Sequence, residues 1–360
     1  MERLNKFRAI LAEKDLDGFL ITSPENRRYL SGFTGSSGAL LVNQQQAVLL
    51  TDFRYLEQAT EQTAGSGFSV KKHQPKLWPT VIEEISAWSK GQNIRWGFES
   101  EHLVEKDFRF LRDNLSQIKL VSTEGLVNLL RRKKSAEEID FIRKAVKITD
   151  QAWKELLFEI KPGKRESEIA ATFEYFQRRL GAEGTSFQTI VASGPRSALP
   201  HGVAGERRVE EGDFIVLDGG ALYNGYCSDF TRTIVVGQPT AKQIEMYNLV
   251  LKAQEAALEG MRPGMTGKEV DTLAREVIAE AGYGDYFGHG LGHSLGLAIH
   301  ESPRLSPLDG TVLEPGMVLT VEPGVYLPDW GGIRIEDVVV ITEDGIENLT
   351  STPKKLSLLD

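Results

Sequence analysis

Two similar stretches in the second half of the chain decide its fold: EEGDFIVLDGG at residues 210–220 and LEPGMVLTVEPG at residues 313–324. An offset of 104 residues aligns them and pairs Asp218 with Glu322. In each stretch an apolar run ends on a carboxylate, and a glycine follows within two residues. This pattern predicts a buried strand that carries an acid at its end and then turns.

The similarity extends on both sides of these strands. Upstream, Pro162–Gly163 and Pro263–Gly264 each precede a helical pattern of roughly five turns that ends near a glycine. Downstream, DFTRTIVV (229–236) and EDVVVIT (336–342) are carboxylate-led strand patterns. Two similar halves that each deliver two carboxylates predict a pseudo-twofold domain with a site on its axis. Chance similarity of short Pro-Gly motifs is the alternative.

A different pattern, in which helical and strand-like segments alternate, fills the chain up to about residue 130. Helical patterns lie near residues 2–14, 53–64, 78–89 and 103–115. Apolar runs such as DGFLIT, GALLVN and AVLLT separate the first two of them. This alternation predicts a small α/β domain with a largely buried mixed sheet. The charged stretch RRKKSAEEID (131–140) then begins a long helical pattern, so we predict two domains, 1–130 and 131–360.

Composition and charge argue against several classes of protein. The 360 residues are 41% hydrophobic and 26% charged, as in folded globular proteins. A net charge of -9 argues against a general binder of nucleic acid or anionic membrane. The basic run RRKK (131–134) is short and adjoins acids, so we interpret it as a solvated linker face.

Cysteine usage and hydropathy predict a cytoplasmic protein. Cys227 is the only cysteine, so no intrachain disulfide or cysteine zinc cluster is possible, and we interpret it as a small apolar filler. The first residues, MERLNKFRAILAEK, form an amphipathic helical pattern without the apolar core of a signal peptide. No apolar run approaches the roughly eighteen residues of a membrane span.

Four acids beside or within apolar strand patterns carry the chemistry: Asp218, Asp229, Glu322 and Glu336. A carboxylate in a buried strand is costly unless something neutralises it. Singly, each acid is better explained as a helix cap or as the partner of an arginine. Together, the four would repel one another strongly without cations, and this favours a metal site.

The glycine-rich segment GHGLGHSLGLAIHE (288–301) adds His289, His293 and His300, and LPHG contains His201. A lone histidine is more often a hydrogen-bonded structural residue than a ligand, but three in one short segment favour function. Four carboxylates and one imidazole suit Mn(II), Fe(II), Co(II) or Zn(II), and the oxygen-rich set favours Mn(II). Two such ions share and activate a water, which predicts hydrolysis without a covalent protein nucleophile.

The ordered set VLDGG, CSDFTRT, GHGLGH, TVEPG and GGIRIED resembles the motifs of the pita-bread metallopeptidases, which include methionine aminopeptidase, aminopeptidase P and prolidase. This resemblance covers about residues 138–345. PENRRYLSGFTGS (24–36) and TDFRYLEQA (51–59) resemble the creatinase-type N-terminal domain of the proline-specific branch, which methionine aminopeptidases lack. The resemblance implies an α/β (α+β) chain, with a creatinase-like N-terminal α/β domain before a pseudo-twofold pita-bread catalytic domain.

The resemblance also implies a role for each acid. Asp229 and Glu336 would bridge two metal ions, Asp218 would complete one shell, and His293 with Glu322 would complete the other. Glu322 is in addition the implied proton acceptor from the bridging water and the donor to the leaving nitrogen.

Four further residues match site positions of the family. His201, His289 and His300 would contact substrate or stabilise the tetrahedral intermediate rather than bind metal. Arg334 matches the active-site arginine of the proline-specific branch, and would orient ligands or hold a substrate carboxylate bidentately.

The function implied is that of an Xaa-Pro dipeptidase, or prolidase, acting on an Xaa-Pro dipeptide. Aminopeptidase P, which acts on longer Xaa-Pro peptides, is the alternative. A metal-free creatinase-like hydrolase and a non-catalytic pita-bread binding module are disfavoured, because all five ligand positions carry suitable side chains. The family resemblance also implies a homodimer.

Overall fold

A mixed six-stranded sheet with helices forms the first of two units into which the chain divides, Met1–Arg131 and Arg132–Asp360. The computed structural model describes residues 1–73, 75–90 and 93–359. The helices of the first unit are α1 (Glu2–Glu13), α2 (Pro24–Ser31), α3 (Leu56–Gln62), α4 (Leu77–Ser89), α5 (Glu105–Asn114) and α6 (Leu126–Arg131). Its strands are β1 (Gly18–Ile21), β2 (Ala39–Asn43), β3 (Ala47–Thr51), β4 (Ser69–Lys72), β5 (Arg95–Glu99) and β6 (Lys119–Thr123).

The sheet has the order β4-β3-β2-β1-β5-β6 and contains both parallel and antiparallel pairs. The apolar runs quoted from the sequence form β1, β2 and β3, every residue of which is buried. Of the four predicted helices, the one near 53–64 begins differently. A 3-10 turn at Phe53–Tyr55 comes first, because the Asp52 side chain accepts the N–H of Arg54 at 3.0 Å.

The second unit contains α7 (Ala136–Leu156), α8 (Glu166–Arg179), α9 (Ala241–Gly260) and α10 (Gly267–Glu280), with 3-10 turns at Gly194–Ala198 and Gly284–Tyr286. Its strands are β7 (Gly184–Thr185), β8 (Ile190–Ser193), β9 (Phe214–Asp218), β10 (Ala221–Tyr223), β11 (Tyr226–Cys227), β12 (Thr231–Val236), β13 (Gly292–Ser294), β14 (Glu301–Leu305), β15 (Val318–Val321), β16 (Gly324–Leu327), β17 (Gly331–Arg334), β18 (Asp337–Ile341), β19 (Ile346–Asn348) and β20 (Ser357–Leu359). Two larger sheets have the orders β20-β12-β9-β8 and β14-β13-β15-β18-β19, and β11-β10-β7 and β16-β17 form smaller ones.

The predicted repeat is present in the backbone of the second unit. Gly163 and Gly264 both have left-handed backbone, with φ of 87° and 91°. The N–H of Gly163 donates to the carbonyl of Val209, and that of Gly264 donates to the carbonyl of Leu313, each at 2.8 Å. Because both halves make the same turn and the same bond, their helices α8 and α10 begin in equivalent places. Each helix has 14 residues, or about four turns, and is shorter than the sequence suggested.

The strands that follow are equivalent as well. Gly212 and Gly316 precede β9 and β15 with φ of 84° and 89°. Their N–H groups donate to the carbonyls of Val236, at the end of β12, and Ile341, at the end of β18. The pairs β9·β12 and β15·β18 are both antiparallel, so each half delivers one acid-bearing strand pair.

The RRKK run differs from the solvated linker face predicted. Arg131 and Lys134 are each only 6% exposed. Arg131 donates to Asn26 Oδ1 at 2.7 Å within the first unit, and Lys134 lies 3.3 Å from Glu301 within the second. Buried polar partners, which the local sequence does not reveal, compensate the desolvation of these two cations.

Candidate metal centre

Three predicted ligands, Asp218, Asp229 and Glu336, lie together in the second unit. Asp218 ends β9, and Asp229 lies two residues before β12, the antiparallel neighbour in which Thr231 faces Asp218. Glu336 lies in the short link between β17 and β18, rather than inside a strand as the sequence pattern suggested. One carboxylate oxygen from each acid lies within 4.8 Å of the other two.

The other two predicted ligands adjoin this cluster from the second half of the repeat. His293 lies in β13, and Glu322 follows the last residue of β15. The Nε2 atom of His293 lies 3.5 Å from Asp229 Oδ2 and 3.3 Å from Glu322 Oε1. The fold therefore brings all five residues together from separate strands and the links beside them.

The centre lies at a cavity of about 980 Å³. The predicted site residues that line this cavity are Asp218, Asp229, His201, His289, His293, His300, Glu322 and Arg334. Glu336, which is 1% exposed, joins the cluster from the protein interior.

The acids perturb one another electrostatically. Burial raises the pKa of Glu336 well above its usual range, and the neighbouring carboxylates of Asp229 and Glu322 raise it further. The pKa of Asp229 is also well above its ordinary value, first because of burial and then because of Asp218 and Glu322. Removal of these side chains from water and their mutual repulsion both favour the protonated forms. A bound cation would reverse that preference.

Two carboxylate oxygens of the cluster are open. Asp218 Oδ1 and Glu336 Oε1 are buried, and neither has a hydrogen-bond partner in the part of the chain that the structure describes. Their sister oxygens are bonded, Asp218 Oδ2 to Arg334 at 2.6 Å and Glu336 Oε2 to the Thr231 hydroxyl at 2.7 Å. A buried anionic oxygen without a donor is unfavourable. Such oxygens are the ligand atoms that hard divalent cations prefer.

His293 has the tautomer that a metal ligand needs. Its Nδ1 atom lies 3.1 Å from the carbonyl oxygen of Ser294, an acceptor, so Nδ1 carries the proton and Nε2 keeps its lone pair. Burial lowers the pKa of His293 to about 4. The imidazole is therefore neutral at pH 7, and its open nitrogen faces the carboxylates.

Arg334 has hydrogen-bond partners on every nitrogen of its guanidinium. Nε donates to the Thr231 hydroxyl at 3.1 Å, and Nη2 donates to Asp218. Nη1 donates to the Tyr326 hydroxyl at 2.7 Å and to the carbonyl of Pro200 at 3.2 Å. Because the protein occupies this fork, the contacts favour the predicted ligand-orienting role over bidentate capture of a substrate carboxylate.

His289 is also engaged by the protein. Its Nδ1 donates to the carbonyl of Gly290 at 2.8 Å, so Nε2 accepts the Tyr326 hydroxyl proton at 3.1 Å. Burial lowers the pKa of His289 and keeps the ring neutral. The contacts form an ordered chain from Arg334 through Tyr326 to His289. In this arrangement His289 orients Tyr326 rather than offering a free donor to substrate.

His201 and His300 are exposed on the cavity wall. The ring of His300 stacks edge-on against that of His293, with 4.5 Å between centroids. Partial desolvation of its ring in the cavity wall lowers the pKa of His300 to about 4, so it is neutral at pH 7 and keeps one N–H donor. Both histidines are accessible to a molecule in the cavity.

Sequence reasoning missed three residues that adjoin the centre: Thr231, Tyr326 and Arg304. Thr231 was predictable, because it lies two residues after Asp229 in CSDFTRT and strand alternation places such residues on one face. Tyr326 gave no local signal, since its role depends on β16 packing beside Arg334 and His289.

Arg304 lies opposite His293 in the β13·β14 pair and lines the cavity. It is exposed, and its guanidinium makes no hydrogen bond or ion pair with any residue that the structure describes. Nothing in the sequence separates it from a surface arginine, because only the cross-strand pairing brings it to the site. It is a cation available to an anionic group in the cavity.

No helix in the described residues is long and apolar enough to cross a membrane. Residues 140–343 match the model of metallopeptidase family M24, and residues 3–133 match the model of the creatinase/prolidase N-terminal domain.

Similar proteins match over nearly the whole chain. The Xaa-Pro dipeptidase of Pyrococcus furiosus is 46% identical over 362 residues, 99% of this chain and 99% of the relative. The structure of an Xaa-Pro dipeptidase from Bacillus anthracis is 44% identical with a TM-score of 0.94, covering 100% of this chain and 99% of its own. That of an X-Pro aminopeptidase from Thermotoga maritima is 39% identical with a TM-score of 0.90, covering 99% of each chain.

Proposed function

This chain belongs to metallopeptidase family M24 and carries a creatinase/prolidase N-terminal domain, and from that premise we propose that it is an Xaa-Pro dipeptidase. The matches confirm the predicted fold, a creatinase-like N-terminal domain followed by a pita-bread catalytic domain. The family also makes the chain a metal-dependent peptidase. The Xaa-Pro dipeptidases of Pyrococcus furiosus and Bacillus anthracis support the substrate class.

We propose that two divalent ions are held by Asp218, Asp229, His293, Glu322 and Glu336. Asp229 and Glu336 would bridge the ions, Asp218 would complete one shell, and His293 with Glu322 the other. The open oxygens of Asp218 and Glu336 and the lone pair on His293 Nε2 support this set. Its excess of carboxylate oxygens favours Mn(II), with Co(II), Zn(II) or Fe(II) as alternatives.

Glu322 is proposed as the proton carrier of the reaction. When bound, the ions lower the pKa of a shared water and polarise the scissile carbonyl. The Glu322 carboxylate would accept a proton from the attacking water and deliver it to the leaving proline nitrogen. Its Oε1 atom accepts the Thr320 hydroxyl at 2.9 Å, which leaves Oε2 to carry the proton. In the absence of a bound cation, burial raises the pKa of Glu322.

The remaining site residues would bind and orient. His201 and His300 would present N–H donors from the cavity wall to the oxyanion that forms at the carbonyl. Arg334 holds Asp218 in place, and His289 fixes the hydroxyl of Tyr326.

Proline after the scissile bond needs a dedicated site. Its peptide nitrogen has no N–H, so peptidases that grip the substrate through that donor do not use it. Apolar side chains of the cavity wall, including Phe187, Ile190 and Ile299, offer a surface for the pyrrolidine ring.

One observation carries the choice of a dipeptide: the exposed Arg304 guanidinium inside the cavity, without a protein partner among the described residues. An Xaa-Pro dipeptide ends in a carboxylate directly after the proline. A longer peptide has a neutral amide at that position. A charge-assisted bond from Arg304 would therefore favour the dipeptide by about 1.5–3 kcal/mol, or roughly 10- to 100-fold in kcat/KM.

Ala-Pro, Ala-Pro amide and Ala-Pro-Ala, each assayed with Mn(II), test the proposal. We expect fast hydrolysis of Ala-Pro and kcat/KM at least about tenfold lower for the other two. Arg304→Gln should remove the preference for Ala-Pro over its amide, and Arg304→Lys, which keeps the charge, should retain part of it. Equal rates on Ala-Pro-Ala and Ala-Pro would overturn the dipeptidase assignment.

An Xaa-Pro aminopeptidase is the second candidate, because the Thermotoga maritima structure carries that name. That outcome would appear as kcat/KM for Ala-Pro-Ala equal to or above that for Ala-Pro, with no effect of Arg304→Gln on the ratio.

The wider predictions from sequence stay as proposals. We propose a homodimer, as the family resemblance implies, and light scattering of the purified chain measures its mass. We also propose a cytoplasmic protein without affinity for nucleic acid, on the basis of its acidic composition and single cysteine. The domain boundary at residues 130 and 131 is proposed from the charged stretch that begins there.

A further inference from the structure

Lys134, two residues before the start of α7, is a buried cation that the proposed reaction does not use. Its Nζ atom donates to the Ser294 hydroxyl at 2.8 Å and lies 3.3 Å from Glu301 Oε2. The side chains of Lys134 and Glu301 are 2% and 6% exposed. A buried ion pair gives little net stability over an apolar pair of the same volume. The position of the pair between Lys134 and Glu301 indicates instead that it fixes the local backbone geometry.

Lys134 bonds both members of a cross-strand pair. Ser294 of β13 faces Glu301 of β14, whereas His293, one residue earlier, faces Arg304. The register shifts between these two pairs, so β14 contains two more residues than β13 there. Bulges of this kind re-aim side chains beside active sites. Lys134 therefore bridges the two strands at the irregularity that follows His293.

The same pair holds the segment leading to His300. Glu301 Oε1 accepts the N–H of Ala298 at 3.1 Å. A Cβ on Gly296 would lie 2.8 Å from that oxygen, so the turn packs closely around the carboxylate. On the other side, the Ser294 carbonyl accepts Nδ1–H of His293. The ion pair thus contacts Ser294, whose carbonyl holds the ring of His293, and Ala298, which lies two residues before His300.

We propose that Lys134 and Glu301 are positioning residues that fix the β13·β14 bulge and thereby aim His293 into the metal centre and His300 into the cavity. This inference rests on the proposed metal centre. Neither residue is among those that line the cavity, and both act through Ser294 and the turn at residues 296–298.

The test compares Lys134→Met, Glu301→Gln and the double variant that carries both. Calorimetry measures the Mn(II) affinity of each metal-free protein, and kcat and KM for Ala-Pro are measured separately. The ¹⁵N chemical shifts of histidine rings in the metal-free protein report whether His293 keeps its Nδ1–H tautomer. Thermal unfolding shows which variants are folded.

The double variant decides the result, because it leaves no lone buried charge and so is the least liable to misfold. We expect its Mn(II) affinity and its kcat to fall by about 10- to 100-fold, as for other groups that orient metal ligands, with a smaller change in KM. We also expect it to lose the single His293 tautomer. Wild-type affinity, kcat and ring shifts in a folded double variant would overturn the proposal and leave a merely structural pair.

Lys133→Met is the matched control. Lys133 is the neighbouring lysine and pairs with Glu314, but both side chains are about half exposed. Its loss should leave Mn(II) affinity and kcat at wild-type values, and an equal fall there would overturn the assignment to Lys134. Failure of the wild-type chain to bind Mn(II) would instead overturn the metal centre and this inference together.

Discussion

In Asp218 and in Glu336 the two carboxylate oxygens have different roles. One oxygen of Asp218 accepts from Arg334 and one of Glu336 accepts from Thr231, while the other oxygen of each is open. The bonded oxygen fixes the direction of the carboxylate, and the open one is available to a cation. Orientation by neutral or cationic neighbours thus suits this cluster of mutually repelling acids to the metal-binding role that we propose for it.

Glu322→Gln tests the proton carrier with little change in shape. Glutamine keeps an oxygen for the Thr320 hydroxyl and a metal but does not accept the proton from water. We expect kcat for Ala-Pro to fall by about 10²–10⁴-fold. Metal content measured by mass spectrometry separates loss of the carrier from loss of an ion. Near-normal turnover in a fully loaded variant would remove Glu322 from this role.

Arg334→Met removes the partner of Asp218 while keeping an unbranched apolar chain of similar length. Because Asp218 then lacks its orienting donor, we expect Mn(II) affinity to fall by about 10- to 100-fold. Arg334→Lys keeps the charge without the fork and should give an intermediate loss. If both variants bind Mn(II) as wild type and only KM for Ala-Pro rises, Arg334 holds substrate instead.

At the scale of elements, the turns before α8 and α10 explain why the repeat was visible in the sequence. Gly163 and Gly264 both need positive φ, and each follows a proline, so the local residues specify the turn directly. The strands β9 and β15 were predictable for a similar reason, because both are mostly apolar runs whose residues are all buried. Elements specified by their own residues were therefore predicted well.

Equivalent turns should respond equally to mutation. Gly163→Ala and Gly264→Ala each place a Cβ at positive φ, although no atom lies within 4 Å of the new carbon. We expect each to lower the free energy of unfolding by about 1 kcal/mol, from backbone strain alone. Gly310→Ala, where the space is also open and φ is ordinary, should have little effect. Urea unfolding compares the three, and unequal losses at the two turns would contradict the equivalence.

Features that depend on two distant elements were not predictable. Lys134 was interpreted as solvated because its partner, Glu301, is far along the chain and only the fold joins them. Arg304 reaches the cavity because β14 pairs with β13 through a bulge, which hydrophobic periodicity does not reveal. The five proposed ligand residues were predicted from their type and their place beside strands. Their distances and bonded partners required the structure.

At the scale of the whole molecule, the proposed centre links stability to metal. Ions that bind the folded chain and not the unfolded one stabilise it, by about 2.7 kcal/mol at a hundredfold excess over Kd. We therefore expect a chelator to lower the melting temperature by about 5–10 °C and Mn(II) to restore it. Calorimetry over a range of Mn(II) concentrations checks that the shift grows with the logarithm of concentration.

Glu336→Gln should remove the dependence of the melting temperature on Mn(II). Glu336 is buried beside Asp229, and burial with the neighbouring carboxylates makes its charged form unfavourable without a cation. Glutamine of the same size cannot ionise, so the unfavourable charged form is absent and the metal-free variant should melt at or above the temperature of the metal-free wild type. It should also lose the Mn(II)-dependent rise, because a bridging ligand is gone. A variant that melts well below the wild type without metal, yet still gains several degrees from Mn(II), would contradict the placement of Glu336 in the centre.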